Sequence, residues 1–445
     1  MNNKTLLVSL SDLINIKHGY AFKGENFVAN KSIYQLVTPG NFAIGGGFQI
    51  KKEKFYDGPI PEEYVLKEND LVVTMTDLSK EGDTLGYSAL IPDTKDTIWL
   101  HNQRVGLISI KKTADVDLIF LSYLMRTQNY RAHVLSGLTG STVKHTSPSK
   151  ICEYKFNLPS ISIQKKIASI LKNLDSKIEL LNKTNKTLES IAQSIFKSWF
   201  IDFDPVHAKQ QVKKCAGIDK ATADLFPSSF VESELGLIPK DWAVTSIKDI
   251  CEVITNGGTP SRSNSLFWEN GTIPWYKTGE LTDSFLINHS ESITQLGLEK
   301  SSVKLMDKEC VLMAIYAAPT VGRLGILTQA STFNQATTGM KAKQEIGFVF
   351  LYLTLLFGRD WFNNRANGAA QQNISKAIVE SYKLILPSTH ILTSFNNYLM
   401  PMFKRIEQNI NQVSTLSNLR DTLLPRLISG KLDLSNIEEH LEEVA

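Results

Sequence analysis

The chain repeats itself. Leu158-Pro159-Ser160 falls on Leu386-Pro387-Ser388 at an offset of 228, and the register then holds without a gap. Ile163 meets Ile391, Leu171 meets Leu399, Ile178-Glu179 meets Ile406-Glu407, and Thr187-Leu188 meets Thr415-Leu416. Working backward at the same offset, Gly140 falls on Gly368 and Ser147 on Ser375. Further upstream the register slips but short echoes persist. Leu10-Ser11-Asp12-Leu13 resembles Ile247-Lys248-Asp249-Ile250, Leu85-Gly86 resembles Leu324-Gly325, and Asn102-Gln103 resembles Asn334-Gln335. From Gly86 to Asn102 is 16 residues, whereas Gly325 to Asn334 is 9, so a loop between these anchors differs by seven. A self-similarity this long means one folding unit used twice, with a shared frame and different loops.

Each half has a mixed part followed by a helical part. Strand-like stretches at 70–76, 106–110, 311–316 and 382–386 mingle with helical ones at 117–128 and 348–362 and with polar, Gly-rich loops. The expected fold is α/β (α+β), a tandem duplication of a mixed domain and a long helix. The bounds read as 1–158 for the first mixed domain, 159–204 for its helix and 205–240 for a linker of little periodicity. They continue as 241–386 for the second domain, 387–431 for its helix and 432–445 for a tail.

The helices carry a heptad seam. Ile167, Leu171, Leu174, Ile178, Leu181, Asn185, Leu188, Ala192 and Ile195 alternate four and three apart. The second copy gives Phe395, Leu399, Met402, Ile406, Asn409, Val413, Leu416, Leu419 and Leu423. Each seam holds one Asn, which either fixes the register from a buried position or sits solvated. Pro401 is expected to start or kink the second helix and Pro425 to end its regular part. A helix of about 30–35 residues spans about 50 Å. The seams either pack on each other, as an antiparallel pair that places the mixed domains at opposite ends of a rod, or pack on partner helices. The lysines on the first helix (Lys165, Lys166, Lys172, Lys177, Lys183 and Lys186) read as a solvated face or a partner contact.

Composition narrows the class. With 42% hydrophobic and 21% charged residues, 26 Gly and 15 Pro, the chain is neither fibrous nor disordered. A net charge of +3 neither announces nor excludes a polyanion, because binding depends on where the charges sit. The four cysteines, Cys152, Cys215, Cys251 and Cys310, form no metal or disulfide pattern and read as thiols of a reducing, cytoplasmic setting. The first ten residues are too short an apolar stretch for a secretion signal, and the apolar runs near 310–319 and 348–357 are too short to cross a membrane.

Catalytic signatures are missing. Gly430-Lys431 is followed by Leu432, so no Walker A sequence exists, and no GxGxxG, HExxH, GxSxG or kinase motif occurs. No Pro-Pro occurs either, which removes the Asn-Pro-Pro-aromatic motif of amino-methyltransferases. Glu153-Tyr154-Lys155 has a nuclease-like spacing, but its counterpart is Ser381-Tyr382-Lys383, so the carboxylate is not repeated. No catalytic or metal-ligating residue is expected.

The loops carry a different chemistry. Asn and Gln can read adenine edges, Arg and Lys guanine edges, while Ser, Thr and backbone amides hold phosphates. Candidates of this kind in the first half are Thr38, Asn41, Thr76, Lys80, Gln103, Arg104, Thr142, Lys144 and His145. Those in the second are Thr259, Ser261, Arg262, Lys277, Thr278, Arg323, Gln335, Gln371, Gln372 and Asn373. Tyr20-Ala21-Phe22 and Trp275-Tyr276 lie among these loops, as core or as contact residues.

Several longer motifs complete the pattern. They are Leu237-Ile238-Pro239-Lys240-Asp241-Trp242, Asn256-Gly257-Gly258-Thr259-Pro260-Ser261, Ile273-Pro274-Trp275-Tyr276-Lys277-Thr278-Gly279-Glu280-Leu281 and Phe333-Asn334-Gln335-Ala336. The repeat ends add Phe196-Lys197-Ser198-Trp199-Phe200 and Leu423-Leu424-Pro425-Arg426-Leu427-Ile428-Ser429-Gly430-Lys431-Leu432. With these the chain resembles the DNA-specificity (S) subunit of type I restriction–modification systems. The first domain departs more from the pattern, with Tyr20-Ala21-Phe22 where a Thr-Pro-Ser would stand. The resemblance implies two target-recognition domains, each reading half of a split, asymmetric double-stranded DNA sequence, and paired helices acting as a spacer. It implies that the helices, through Leu171, Ile178, Asn185, Leu188, Leu399, Ile406, Asn409 and Leu416, hold the coil and dock partners. Those partners are two modification subunits, which bind S-adenosylmethionine and methylate adenine, and two restriction subunits, which use ATP and Mg. The chain itself is expected to bind no cofactor and catalyse nothing. The rival reading is a stand-alone nuclease or methyltransferase with unfamiliar motifs.

Overall fold

The computed structural model describes residues 6–50, 53–77, 79, 81–137, 143–213, 215, 217–316, 320–366 and 373–432. The chain forms two compact units, residues 1–178 with 415–445, and residues 179–414.

In the first unit, strand Leu6–Ser9 pairs antiparallel with Lys155–Leu158, and the helical turn Leu10–Leu13 leads into strand Ile14–His18. An antiparallel sheet runs in the order Ile14–His18, Val105–Ile110, Leu71–Thr74, Ser88–Leu90. A second sheet contains Phe27–Val28, Phe55–Tyr56, Tyr34–Val37 and Ile98–His101, the last two parallel.

The second unit repeats this plan. Ala243–Ser246 pairs with Lys383–Leu386, the turn Ile247–Ile250 follows, and Cys251–Asn256, Thr337–Ala342, Val311–Ala314 and Leu324–Leu327 build an antiparallel sheet. Ser284–Leu286 adds a parallel edge to it. A smaller sheet joins Glu291–Ile293, Ile273–Tyr276 and Thr332–Phe333, again with one parallel pair.

The 228 offset survives as structure. Helix Pro148–Cys152 matches Lys376–Glu380, and strand Lys155–Leu158 matches Lys383–Leu386. The caps match too, since Ser147 accepts the Lys150 N–H and Ser375 the Ile378 N–H, satisfying a first-turn donor in each copy. The long helices, Ile161–Phe200 and Thr389–Ile428, coincide from end to end.

At 40 residues each, these helices exceed the expected 30–35 and span about 60 Å. Pro401 does not start the second one and Pro425 does not end it. Both prolines are exposed, as are Asn397 and Asp421 four residues earlier, so the carbonyls they leave unbonded face water. The helix stops at Gly430 instead. Its φ of 68° is left-handed, and the Lys431 N–H returns to the Arg426 carbonyl.

The seams pack on each other within each unit. In the first, Ile167 and Leu171 share a core with Leu424 and Leu427, while Asp175 meets Arg420. In the second, Asn185 meets Asn409, Ala192 shares a core with Phe403 and Ile406, and Phe196 meets Phe395, so the segments run antiparallel. Leu171, Asn185, Leu399, Ile406, Asn409 and Leu416 are buried, and Ile178 and Leu188 are half-buried.

The two Asn residues are thus partners. Asn409 Nδ2 donates to Asn185 Oδ1 at 2.7 Å, and Asn409 Oδ1 has no partner among the described residues. Such a pair selects register at a cost in stability. Asn409→Leu should strand the Asn185 amide and cost about 1–3 kcal/mol, read as a lower thermal midpoint. Replacing both by Leu should raise the midpoint instead.

The 205–240 stretch, read as a linker of little periodicity, is folded. It holds helices Asp204–Gln210 and Lys220–Asp224 and the hairpin Phe230–Ser233 with Gly236–Pro239. Val206 and Phe226 explain the difference. Both are fully buried in the aromatic core of the second unit, where Phe226 lies 5.2 Å from Trp199. Anchors this far apart leave no period in the sequence.

Among the described residues no helix is long and apolar enough to cross a membrane, and no metal-binding cluster occurs. None of the four cysteines forms a disulfide, and burial pushes the thiols of Cys251 and Cys310 up to about 12 and about 11.

Candidate nucleic-acid interface

Each unit straps an Asn-Gln loop against a glycine. In the first, the Gly19 N–H donates to the Val105 carbonyl, the Tyr20 N–H to His101, and the Val105 N–H to Asn102. In the second, the Gly257 N–H donates to Thr337, the Gly258 N–H to Phe333, and the Thr337 N–H to Asn334. The approach is too close for a side chain. A Cβ on Gly19 would stand 2.2 Å from the Asn102 carbonyl oxygen, and one on Gly257 2.2 Å from that of Phe333. Gln103, Arg104 and Gln335 stand exposed on these loops. The underside differs, because His101 fills one copy and Phe333 the other. Burial pushes His101 down to about 4, so it is neutral near pH 7.

A second turn recurs after the strand that takes part in a parallel pair, Tyr34–Val37 in one unit and Ile273–Tyr276 in the other. Asn41 accepts the Thr38 N–H at 2.8 Å, as Glu280 accepts the Lys277 N–H at 2.7 Å. The frame is shared but the residue it presents is not: Thr38 in one copy, Lys277 in the other. Asn41 is itself buried and its amide donates to the Gln49 carbonyl, so it shapes the loop and offers no edge to a ligand. Thr278 is half-buried in the corresponding turn.

A third device closes the sheet edge. The Thr146 N–H donates to the Met75 carbonyl and the Ile374 N–H to Ile315, which sets Thr76 against His145 in the first unit and Tyr316 against Asn373 in the second. The Thr76 hydroxyl lies 3.3 Å from His145 Nδ1, and Lys144 pairs with Asp77 in the same ladder. Asp77 is buried and organises the following loop by accepting the Ser79 and Thr84 N–H groups. Burial pushes its carboxyl up, but those bonds outweigh burial and hold its pKa below the usual carboxylate value. Lys80, Thr142, Gln371 and Gln372 lie outside the described residues.

The second unit gathers the densest set of candidates. Arg262 stacks 3.7 Å over the Trp268 ring, which meets Trp275 edge-on at 5.1 Å. Trp275 donates to the Gly258 carbonyl and Trp268 to that of Ser261, so the two rings hold the 258–261 loop. The Thr259 hydroxyl bonds the Gln335 side chain. Glu291 forms ion pairs with both Arg262 and Lys277. Burial pushes the Glu291 carboxyl up, but the contacts with Lys277 and Arg262 outweigh it and lower the pKa. Arg323 is half-buried beside Gly322, and among the described residues no side-chain hydrogen bond or ion pair ties it to the other candidates. Trp268 and Glu291 were not among the sequence candidates. Trp268 falls between the motifs, and a lone Glu in a short edge strand carries no signal.

This duplicated set of polar loops on one frame matches a family model described as the type I restriction modification DNA specificity domain, over residues 4–190 and again over 239–415. The chain belongs to this family. Among curated relatives, the type I restriction enzyme HindI specificity subunit of Haemophilus influenzae is 26% identical over 405 residues, covering 79% of this chain and 87% of the relative. The MjaIX specificity subunit of Methanocaldococcus jannaschii is 27% identical over 355 residues, covering 79% and 76%. The crystal structure of a type I restriction–modification S subunit from M. genitalium covers 98% of both chains at a TM-score of 0.58 and 14% identity, a likeness of fold. In this family's terms, the two matched segments are the two copies of the specificity domain. Each carries its own glycine strap and Asn-Gln loop.

Proposed function

We propose that the chain is the non-catalytic DNA-specificity subunit of a cytoplasmic type I restriction–modification complex, with residues 1–158 and 241–386 as target-recognition domains. Each domain reads one half of a split, asymmetric double-stranded target. The paired long helices set the gap and dock two modification subunits, which bring S-adenosylmethionine to the target adenines. Two restriction subunits bring ATP and Mg. The candidate loop residues other than Asn41 contact bases and phosphates, and the chain binds no cofactor.

The observation that carries this reading is one frame presenting different side chains. Thr38 stands where Lys277 stands, Thr76 where Tyr316 stands, and His145 where Asn373 stands. Hydrogen-bond donors and acceptors that differ at matched points cannot select the same base edges. The frame conserves position while the side chains vary the message.

The test is an exchange. Replacing residues 1–158 by the first recognition domain of another specificity subunit should change one half of the methylated sequence and leave the other half and the gap as they were. A change in both halves, or in neither, would contradict the division of labour.

A further inference from the structure

We infer that Glu291 is a positioning residue that determines specificity in the second recognition domain, by holding Arg262 and Lys277 as a fixed pair that reads a guanine edge. This rests on the DNA-reading function proposed above and assigns a role within it.

The geometry is built from the sheet outward. Glu291 opens strand Glu291–Ile293 directly opposite Trp275 in the neighbouring strand. That register places its carboxylate beside the Trp268–Trp275 pair. One carboxylate oxygen meets Arg262 and the other meets Lys277. The three side chains grade outward, with Glu291 28% exposed, Lys277 39% and Arg262 52%. The guanidinium is confined on its flat side by the rings, 3.7 Å from Trp268 and 4.9 Å from Trp275. Five planar donors confined in this way match the O6/N7 edge of guanine.

Charge decides what the site grips. Two unpartnered cations on an exposed loop attract any phosphate, and each phosphate contact strengthens binding without regard to sequence. A carboxylate shared between them cancels one charge and spends the remaining motion of both side chains on one geometry. The site trades general grip for selection. Among the described residues of the first unit, the carboxylate that two cations share, Asp175 with Arg126 and Arg420, lies on the long helix and not in a candidate loop, so the device belongs to one half of the target.

The experiment uses the full chain assembled with its modification subunits, binding duplexes in which each position of the methylated target is varied in turn. Glu291→Gln keeps the shape and removes the charge. Binding to duplex lacking the target should tighten about threefold or more at low salt, and its salt dependence should steepen by about one ion. Preference for guanine at one position of the second domain's half-site should fall about tenfold, the scale of one bidentate base contact, with the other half unchanged. Glu291→Asp should restore part of that preference. Equal weakening on every duplex with unchanged salt dependence, or loss of preference in both halves, would overturn the assignment. A wild-type complex that does not distinguish target from unrelated duplex would overturn the proposed function instead.

Discussion

Phe395→Ala is expected to cost the second unit about 3–5 kcal/mol, the range for deleting a fully buried aromatic ring and leaving a cavity. Phe395 is wholly buried near the start of the second long helix, where it touches four other rings. Its ring centroid lies 4.8 Å from Phe200, 5.7 Å from Trp199, 6.0 Å from Phe196 and 6.2 Å from Phe350. Phe196, Trp199 and Phe200 come from the end of the first long helix, so this cluster ties both helices to the mixed domain of its unit. The other rings are held by backbone on two elements, the first long helix and helix Phe348–Phe357, and cannot collapse into the space. At about 2–4 °C per kcal/mol, the midpoint of this unit should fall by about 6–20 °C in a calorimetric scan. A shift under about 2 °C would mean that the cluster does not carry the packing assigned to it.

Asp175→Ala should have a comparable effect in the first unit, for the opposite chemical reason. Asp175 accepts from the Tyr123 hydroxyl at 2.8 Å, from Arg126 at 2.9 Å and from Arg420 at 2.7 Å. Arg126 is only 10% exposed, so removing the carboxylate leaves a buried cation without its partner. Breaking such a pair costs about 3 kcal/mol, or about 6–12 °C. Burial pushes the Asp175 carboxyl up, but the Arg126 charge and the bonds from Arg420 and Tyr123 outweigh it and lower its pKa. A lowered pKa in the folded state gives stability that is present above the unfolded value near 4 and lost as pH falls through the folded one. The difference between wild type and Asp175→Ala should therefore be full at pH 7 and shrink below about pH 4. A difference that does not change with pH would point to lost packing and not to the ion pairs.

The repeat makes these two sites instructive together. Asp175, Arg420 and Arg126 stand 228 residues from Phe403, Ala192 and Thr354. One copy fills the position with charges, the other with Phe403 packed on Phe285, Phe348 and Tyr352. Duplicated backbones tolerate either solution, because a satisfied ionic network and a close-packed aromatic one can be similar in net stability.

Much of the fold was legible in the sequence because duplication and heptad spacing are long-range signals that single residues cannot erase. The limits of each element were not. Pro401 and Pro425 are strong local breakers, yet they sit on solvated faces of helices whose other sides are buried, and packing overrides them. The 205–240 stretch hid its structure because its anchors, Val206 and Phe226, dock individually. In the candidate interface, Asn102-Gln103 and Asn334-Gln335 could be found because the repeat echoed them. The pairing of Thr76 with His145 could not, since a ladder joins them across 69 residues. Asn41 shows the converse limit. A polar residue in a turn reads alike whether it faces a ligand or, as here, caps its own loop.

On the proposed function, one chain writes two different half-messages at a fixed separation. The most direct measurement is to produce the chain together with its modification subunit and map the methylated adenines across a genome. The expected result is a two-part motif with different halves, a gap of constant length, and no methylation by either protein alone. A continuous motif, two identical halves, or methylation by this chain without a partner would contradict it.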